Sequence, residues 1–145
     1  MTLIRPVEPD DEAVWRLLWR DYLAFYDTEL PELVYRTSFA RLVDPETLDY
    51  QGLLAIRDDA AVGLIHFIFH RHGWHVADIC YLQDLFVAPA ARGGGVGRGL
   101  IEAVYAEADA AGAAGVYWLT QEFNHSARRL YDTIGTATPF IKYVR

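Results

Sequence analysis

Residues 81–100 read YLQDLFVAPAARGGGVGRGL, an apolar segment followed by a turn that is rich in glycine. The apolar part, residues 82–87, predicts a buried strand that ends at Pro89, because proline has no backbone N–H for a neighbouring strand. The pattern behind the turn predicts a helix, whose first turn presents unpaired N–H groups and the positive end of the helix dipole. Glycine lets the backbone approach an anion closely. We therefore expect a pyrophosphate site at this turn, flanked by the positive charges of Arg92 and Arg98.

The spacing of the glycines separates three kinds of phosphate-binding loop. A Walker loop ends in Gly-Lys-Ser or Gly-Lys-Thr, whereas the only lysine of the chain is Lys142. The dinucleotide fingerprint Gly-x-Gly-x-x-Gly lacks its third glycine in each possible frame, which disfavours a Rossmann domain that binds NAD. The spacing that fits is Arg-x-x-Gly-x-Gly, formed by Arg92, Gly95 and Gly97. A turn that is merely flexible is the alternative for such a run of glycines.

Length and composition predict one globular domain that spans residues 1–145. Apolar residues make up 52% of the chain and charged residues 23%, as in folded rather than disordered proteins. No apolar run reaches the roughly 18 residues of a membrane span, and the start MTLIRPVEPDDE has early acids where a signal peptide has an apolar stretch. A single cysteine, Cys80, forms no internal disulfide and is expected to be a buried thiol. We therefore expect a cytoplasmic protein that does not associate with a membrane.

The charge of the chain is unevenly distributed. The net charge is −7, with 15 acidic and 7 basic residues up to position 91 but 5 acidic and 6 basic residues after it. An acidic half beside a nearly neutral half would attract a cationic partner such as an amine, although an acidic surface that only keeps the protein soluble is the alternative. Without a basic patch, nucleic acid is not expected as a partner.

Apolar periodicity and chain breakers predict the element order β–α–α–β–β–β–α–β–α–β, a mixed α/β sheet. The expected strands cover residues 2–7, 53–57, 61–69, 82–87, 116–120 and 140–145, and the second and third of them form an antiparallel hairpin around a tight Asp58-Asp59 turn. The expected helices run from Asp10 or Asp11 to residue 25, over residues 32–43 after the break at Pro31, from the glycine-rich turn to Gly112, and from Asn124 to Gly135. Residues 116–120 are apolar and rich in β-formers, which predicts a central strand.

Two groups of side chains in the first half of the chain have open interpretations. An aromatic stripe on the first predicted helix, at positions 15, 19, 22 and 26, is typical of a core, although part of it could line a pocket. Histidines at positions 70, 72 and 75 suggest a metal site, but no carboxylate or cysteine stands at ligand spacing, so no metal is expected. His66 shares a strand face with His70, and either of them could face an acceptor pocket.

The sequence resembles the GNAT superfamily of acyl-CoA-dependent N-acetyltransferases in two motifs and in the order of its elements. The first motif is the central Arg-x-x-Gly-x-Gly signature at residues 92–97. The second, Asn-x-x-Ala-x-x-x-Tyr followed by a glycine at the helix end, is formed by Asn124, Ala127, Tyr131 and Gly135. Within the superfamily, residues 81–97 look like the corresponding segment of diamine acetyltransferases and of the yeast-type histone and polyamine subgroup, whose members tend to form dimers. The resemblance implies a GNAT fold over nearly the whole chain.

The resemblance also implies where acetyl-CoA binds as co-substrate. The backbone of Leu85, Phe86 and Val87 would pair with the pantetheine arm as an added strand does, and Asn124 would hydrogen-bond to the pantetheine. The backbone N–H groups that would hold the pyrophosphate belong to Arg92, Gly93, Gly94, Gly95, Val96, Gly97 and Arg98.

Two residues would carry the catalysis by this resemblance. Tyr131 would be the general acid that protonates the leaving thiolate, or else a core aromatic whose hydroxyl is satisfied. Relatives carry Glu-Asp where this chain has Gln83-Asp84, and glutamine cannot act as a base. Asp84 is therefore the carboxylate that would bind the ammonium or relay its proton through water, or else a structural acid. Since Cys80 belongs to no nucleophile motif, we expect direct transfer in a ternary complex.

The expected function is acetyl transfer from acetyl-CoA to the primary amine of a small, cationic, polyamine-like acceptor. The alternatives are a protein lysine or N-terminus, an amino acid, an aminoglycoside, or a regulatory module that binds CoA without turnover. We also expect a homodimer, in which the strand at residues 140–145 pairs across the interface.

Overall fold

The computed structural model describes all 145 residues and contains a mixed five-stranded sheet with helices on both faces. In spatial order the strands are β1 (Thr2–Pro6), β2 (Tyr50–Arg57), β3 (Ala60–His70), β4 (Ile79–Val87) and β5 (Val116–Tyr117). The helices are α1 (Glu12–Phe25), α2 (Glu32–Val43), α3 (Val96–Ala110) and α4 (His125–Ile134). Strands β1 to β4 pair antiparallel, and β5 pairs parallel to β4. The α/β fold class predicted from the sequence is confirmed.

The two faces of the sheet bury different helices because successive strand residues point in opposite directions. On β3, Ile65 and Phe67 pack against α3, whose Leu100, Ile101 and Val104 are fully buried. Leu64 faces the other way, toward a second apolar cluster. Its other members follow β1 or belong to α1, α2 and β4: Val7, Trp15, Leu18, Trp19, Leu23, Phe39 and Phe86. Full burial of each large side chain contributes about 1.5–3 kcal/mol to folding. The aromatic stripe of α1 is therefore core at positions 15 and 19, whereas Tyr26 is exposed.

The hairpin between β2 and β3 is confirmed at the predicted Asp58-Asp59 turn. Both residues have left-handed backbone angles, with φ of 52° and 61°. Turns of this hand match the right-handed twist of the flanking strands, and aspartate tolerates the conformation better than most residues do.

Two predictions about the end of the chain are wrong. The strand expected over residues 116–120 contains only Val116–Tyr117, and it lies at the edge of the sheet rather than in its centre. Residues 140–145 form no strand, and Phe140, Ile141 and Tyr143 are exposed. A strand needs a neighbour that pairs with its backbone, and β5 offers only two residues for such a ladder.

None of the helices is long and apolar enough to cross a lipid bilayer.

Candidate active site

The sheet opens between β4 and β5. These strands pair only at Cys80 with Val116 and at Tyr81 with Tyr117, so residues 82–87 have β3 on one side and no strand on the other. We call this segment the open edge of β4. In an antiparallel pair, alternate residues direct their N–H and C=O groups away from the partner, which leaves backbone hydrogen bonds free along an unpaired edge. The edge includes Leu85, Phe86 and Val87, the three residues whose backbone, by the resemblance stated above, would pair with the pantetheine arm.

A β-bulge at Gln83 decides which way Asp84 points. On β3, His66 lies opposite Asp84 while the next residue, Phe67, lies opposite Leu82, so Gln83 has no partner. Leu82 belongs to the core beneath α3, whereas the Asp84 side chain reaches His66 on the opposite face. A bulge re-aims the following side chain in this way. Without it, residues two apart would face the same side, and Asp84 would point into the apolar core.

The Asp84 carboxylate is nearly buried, with 9% of its side chain exposed. Its Oδ2 lies 2.8 Å from Nδ1 of the fully buried His66. Its Oδ1 has no contact as short as this one. Burial first, then the charge of Asp84 and hydrogen bonding to it, raise the pKa of the neighbouring Tyr22 phenol. The site therefore contains a carboxylate with one oxygen held by His66 and with the Tyr22 phenol beside it.

Trp15 from α1, which the sequence analysis assigned to an aromatic stripe typical of a core but open to a role in a pocket, also takes part in this site. Its Nε1 donates to Nε2 of His66 over 2.9 Å. The two residues are 51 positions apart in the chain, and no local pattern predicts their contact. His66 is thus linked to the site by its bond to Asp84 and does not face the site directly. His70, the other histidine that could have faced an acceptor pocket, contacts the Tyr117 hydroxyl at 2.7 Å.

The glycine-rich turn has the backbone conformation that an anion site requires. Gly93 and Gly95 have φ of 81° and 82°, angles that other residues adopt only with strain. None of the N–H groups of Gly93, Gly94 and Gly95 donates to the backbone of the chain. Helix α3 begins directly after Gly95, and its first N–H groups, those of Val96, Gly97 and Arg98, lack helical partners. The sequence-based expectation of a strand, a glycine turn and a helix is confirmed.

The two predicted arginines have partners within the chain. Arg92 donates from Nε to the Val87 carbonyl over 2.9 Å, and its guanidinium lies 5.7 Å from the centre of the Phe86 ring. Arg98 bonds to the Thr133 hydroxyl at 2.6 Å and forms an i,i+4 ion pair on α3. The positive charge at the glycine-rich turn is therefore held in fixed positions.

Arg57, at the end of β2, adds a cation that the sequence analysis missed. Its guanidinium lies 3.5 Å from the carbonyl oxygen of Gly94 and is anchored by a bond from Nε to the Thr2 hydroxyl. Arg57 is 37 residues from Gly94 in the chain, and the turn motif itself gives no signal of it.

Asn124 caps α4, as predicted. Its Oδ1 accepts from the backbone N–H of Ala127 over 3.3 Å. The side-chain nitrogen donates to no group of the chain and remains available to a ligand carbonyl. A depression of about 330 Å³ lies beside it, between the end of α1 and the start of α4. Its lining residues are Phe25, Gln121, Phe123, Asn124, His125 and Ser126.

Tyr131 lies on the inner side of α4, where it packs edge-on against Trp118 with ring centroids 5.5 Å apart. Burial, with a smaller contribution from Tyr26, raises the pKa of the Tyr131 phenol above its ordinary value. At neutral pH the phenol is therefore protonated and can donate a proton.

The histidines at positions 70, 72 and 75 do not form a metal site, and Cys80 does not form a reactive thiol site. No group of three or more His, Cys, Asp or Glu side chains is placed to hold a metal ion. Cys80 is fully buried, and burial raises the pKa of its thiol to about 11, so it carries little thiolate at pH 7.

Most of the chain, residues 12–135, matches the model of the acetyltransferase (GNAT) family. The D-amino-acid N-acetyltransferase HPA3 of Saccharomyces cerevisiae is 41% identical over 145 residues, which cover 99% of this chain and 89% of that protein. This relative is named for an amino acid, so it does not support the diamine and polyamine subgroup to which the sequence was compared.

Solved structures give the same fold. The aminoglycoside acetyltransferase AAC(6')-Iy, in complex with a CoA-containing bisubstrate analogue, has a TM-score of 0.86 at 18% identity and covers 100% of this chain and 97% of its own. A ribosomal-protein-alanine N-acetyltransferase from Brucella melitensis has a TM-score of 0.83 at 18% identity, covering 99% and 97%.

Proposed function

Because the chain belongs to the acetyltransferase (GNAT) family and is an acetyl-CoA-dependent N-acetyltransferase, we propose that it acetylates the primary amine of a free amino acid. The observation that carries the choice of acceptor is the 41% identity to a D-amino-acid N-acetyltransferase over nearly the full length of both chains. We also propose that residues 1–145 act as one catalytic domain.

The proposed acetyl-CoA site joins the open edge of β4 to the glycine-rich turn. Those backbone groups of Leu85, Phe86 and Val87 that point away from β3 would pair with the pantetheine amides, as in strand addition. The Asn124 side-chain nitrogen would donate to the same arm. The pyrophosphate would be held by the N–H groups of residues 92–98. Bound in this way, the co-substrate presents its acetyl group as a thioester.

The proposed chemistry is direct transfer, with Asp84 and Tyr131 at opposite ends of the reacting group. An alkyl ammonium of pKa roughly 10 loses a proton to Asp84, or to water beside it, before it attacks. The amine nitrogen then bonds to the thioester carbonyl carbon, and the C–S bond breaks with its electron pair on sulfur. The Tyr131 phenol gives its proton to that thiolate, and the nitrogen loses a second proton, which reaches the tyrosinate through solvent. Asp84, or the water beside it, releases the first proton to bulk solvent.

A polyamine-like cation is the second candidate acceptor. It is favoured by the Asp84 carboxylate, by the ring of Tyr22 beside it, against which Tyr26 packs, and by the acidic first half of the chain. Aromatic faces attract alkylammonium groups, and a carboxylate binds them directly. Unlike an amino acid, this acceptor needs no partner for a carboxylate.

The test is thiol release from acetyl-CoA with a panel of D- and L-amino acids, polyamines, an aminoglycoside and a lysine-containing peptide. We expect the highest kcat/KM with an amino acid, and a loss of about 100-fold or more in kcat for Tyr131→Phe. Tyr143→Phe, on the exposed segment after α4, is the matched control. A clear preference for spermidine or the peptide would replace the proposed acceptor, and unchanged turnover in Tyr131→Phe would remove the tyrosine from the mechanism.

We propose a homodimer in which residues 140–145 of one copy lie against the other copy. Support comes from the exposed side chains of Phe140, Ile141, Tyr143 and Val144 and from the unpaired outer edge of β5. Light scattering of the full chain should give twice the monomer mass, and a double change of Phe140 and Ile141 to serine should reduce it. A monomeric wild-type chain at micromolar concentration would contradict the dimer.

A cytoplasmic location is part of the proposal, since one buried, unpaired thiol at Cys80 suits a reducing compartment. Recovery of the protein from a secreted fraction of its own cells would contradict it.

A further inference from the structure

A chain of hydrogen bonds crosses three layers of the molecule, from α1 through β3 to β4. Trp15 Nε1 lies 2.9 Å from His66 Nε2, and His66 Nδ1 lies 2.8 Å from Asp84 Oδ2. Trp15 and His66 are fully buried, and Asp84 is nearly so. Exposed side chains can exchange such bonds for bonds to water, but buried ones cannot. The arrangement is therefore a fixed property of the folded chain.

Trp15 determines which nitrogen of His66 carries the proton. An indole N–H can only donate, so Nε2 of His66 must present its lone pair to Trp15. The ring proton of the neutral imidazole then resides on Nδ1 and points at Asp84. A proton on Nε2 would face the indole N–H directly, which opposes the imidazolium form. His66 is consequently a donor to the carboxylate and has no free nitrogen with which to exchange protons with the site.

No other group around His66 determines which of its ring nitrogens carries the proton. Trp19 of α1 lies 5.6 Å away between ring centroids, and its Nε1 is the only buried side-chain nitrogen or oxygen without a partner. Tyr50 of β2 lies 5.6 Å away and is the only other titratable ring against His66. Tyr22 of α1 and Tyr81 of β4 face Asp84 rather than His66.

We propose that Trp15 and His66 are positioning residues for the acceptor amine. Trp15 holds His66 as the neutral Nδ1–H tautomer, which donates to Oδ2 of Asp84 and leaves Oδ1 to bind the amine. The inference rests on the proposed role of Asp84 in acetyl transfer. In this arrangement His66 carries no proton to or from the substrate, although it lies beside Asp84, the proposed base.

The first test reads the tautomer without any substrate. Long-range nitrogen–proton correlation spectra of the full chain, labelled with ¹⁵N histidine, report the two ring nitrogens separately. We expect the His66 ring proton on Nδ1, with Nε2 as the bare nitrogen that accepts from Trp15. A His66 signal that shows the proton on Nε2 would overturn the inference.

The second test compares two identical substitutions one helical turn apart. Trp15→Phe removes the donor to His66, whereas Trp19→Phe removes a buried indole N–H that bonds to nothing. Without the indole donor, His66 can also adopt the Nε2–H tautomer, which presents a lone pair instead of an N–H to Asp84. We expect kcat/KM of Trp15→Phe to fall about 10- to 100-fold relative to wild type, mostly through KM for the amine. Trp19→Phe should keep the wild-type KM and kcat.

The outcomes separate this inference from the proposed function. An active wild type with the same KM for the amine as both Trp15→Phe and Trp19→Phe would overturn the positioning role alone. A wild type that acetylates no amine would overturn the proposed function, and the positioning role with it.

Rescue by a conservative variant completes the test. In His66→Asn the amide nitrogen can occupy the place of Nδ1 and donate to Asp84, whereas His66→Leu has no donor. We expect kcat/KM of the asparagine variant to exceed that of the leucine variant by about 10-fold or more. Equal activity of the two folded variants, checked by acetyl-CoA affinity, would contradict a hydrogen-bonding role for His66.

Discussion

Gly135 and Trp118 are in such close contact that a Cβ atom at position 135 would lie 2.8 Å from the indole ring. Trp118 in turn packs edge-on against Tyr131, the proposed acid. Gly135 was expected to close α4, and α4 does end at Ile134; the φ of Gly135 is −151°, an extended conformation open to any residue. The glycine is required by the approach of the ring and not by its own backbone angle.

Gly135→Ala should therefore displace Trp118 and, through it, Tyr131. We expect a loss of about 1–3 kcal/mol in the free energy of unfolding, as for other overpacked sites, together with a lower kcat. Gly115→Ala is the matched control, because a Cβ there would meet its nearest neighbour, Ile79, at 3.9 Å. Urea unfolding and steady-state kinetics measure the two effects. Equal stability of the two variants would contradict the packing argument.

Gly95→Ala should weaken acetyl-CoA binding. The left-handed angle at Gly95 costs other residues about 1–2 kcal/mol, which would re-orient the N–H groups at the start of α3. We expect the Kd for CoA, measured by calorimetry, to rise about 10-fold. Gly73→Ala, in the turn after β3, has no positive angle and meets nothing within 4 Å, so it should leave the affinity unchanged. An unaltered Kd in Gly95→Ala would argue against the turn as the pyrophosphate site.

The alkaline limit of kcat should lie above the ordinary titration range of tyrosine. Burial raises the pKa of Tyr131, and only the protonated phenol can serve as the acid, so activity is retained until the pH passes the raised pKa. The same shift makes the phenol stabilising below roughly pH 10, and this stability is lost as the pH rises further. A pH profile of kcat at saturating substrates measures the limit. A loss of kcat already between about pH 7 and pH 9 would assign the limit to another group.

Asp11 should stabilise the junction between β1 and α1 at neutral pH. Arg5 contacts its two carboxylate oxygens at 2.7 and 3.0 Å and thereby holds the pKa of Asp11 below its usual value. A lowered carboxylate pKa stabilises the fold above the unfolded pKa, and the stability is lost as the pH falls through the folded value. We expect Asp11→Asn to cost about 1–3 kcal/mol at pH 7 and progressively less below about pH 4. Asp10→Asn, at the exposed neighbouring position, should cost little at either pH, and equal costs for both variants would contradict this account.

Cys80 should be inert toward alkylating reagents in the folded protein. Its burial and its raised pKa of about 11 leave almost no thiolate at pH 8. Mass spectrometry should show no iodoacetamide adduct on the native chain within minutes and complete modification in urea. Cys80→Ala should retain wild-type kcat, and a loss of turnover without a loss of stability would argue for an acyl-enzyme.

Local signals in the sequence predicted most of the helices and the hairpin. The breaking effect of Pro31 located the start of α2, which covers Glu32–Val43 as expected. The Asp58-Asp59 turn and the cap at Asn124 were predicted from residue chemistry that acts within a few positions. These elements depend little on the rest of the chain, so a single sequence contains enough information to locate them.

Features that depend on distant partners were not predicted. The bond between Trp15 and His66 and the approach of Arg57 to the glycine-rich turn join residues far apart in sequence. The bulge at Gln83 did leave a trace, since the apolar residues Leu82 and Leu85 are three positions apart where a regular strand repeats every two. The edge position of β5 left none, because its apolar composition is equally typical of a central strand.

The open edge of β4 would link the abundance of this protein to the acetyl-CoA concentration of its cell. On the proposed binding mode, acetyl-CoA supplies backbone partners that the sheet lacks, so it binds the native chain and not the unfolded one. Such a ligand raises the free energy of unfolding by about 1.4 kcal/mol for each tenfold rise in concentration above its Kd. A cell rich in acetyl-CoA would then hold more of the chain in its protease-resistant form, and starvation would expose it to degradation before any change in its synthesis.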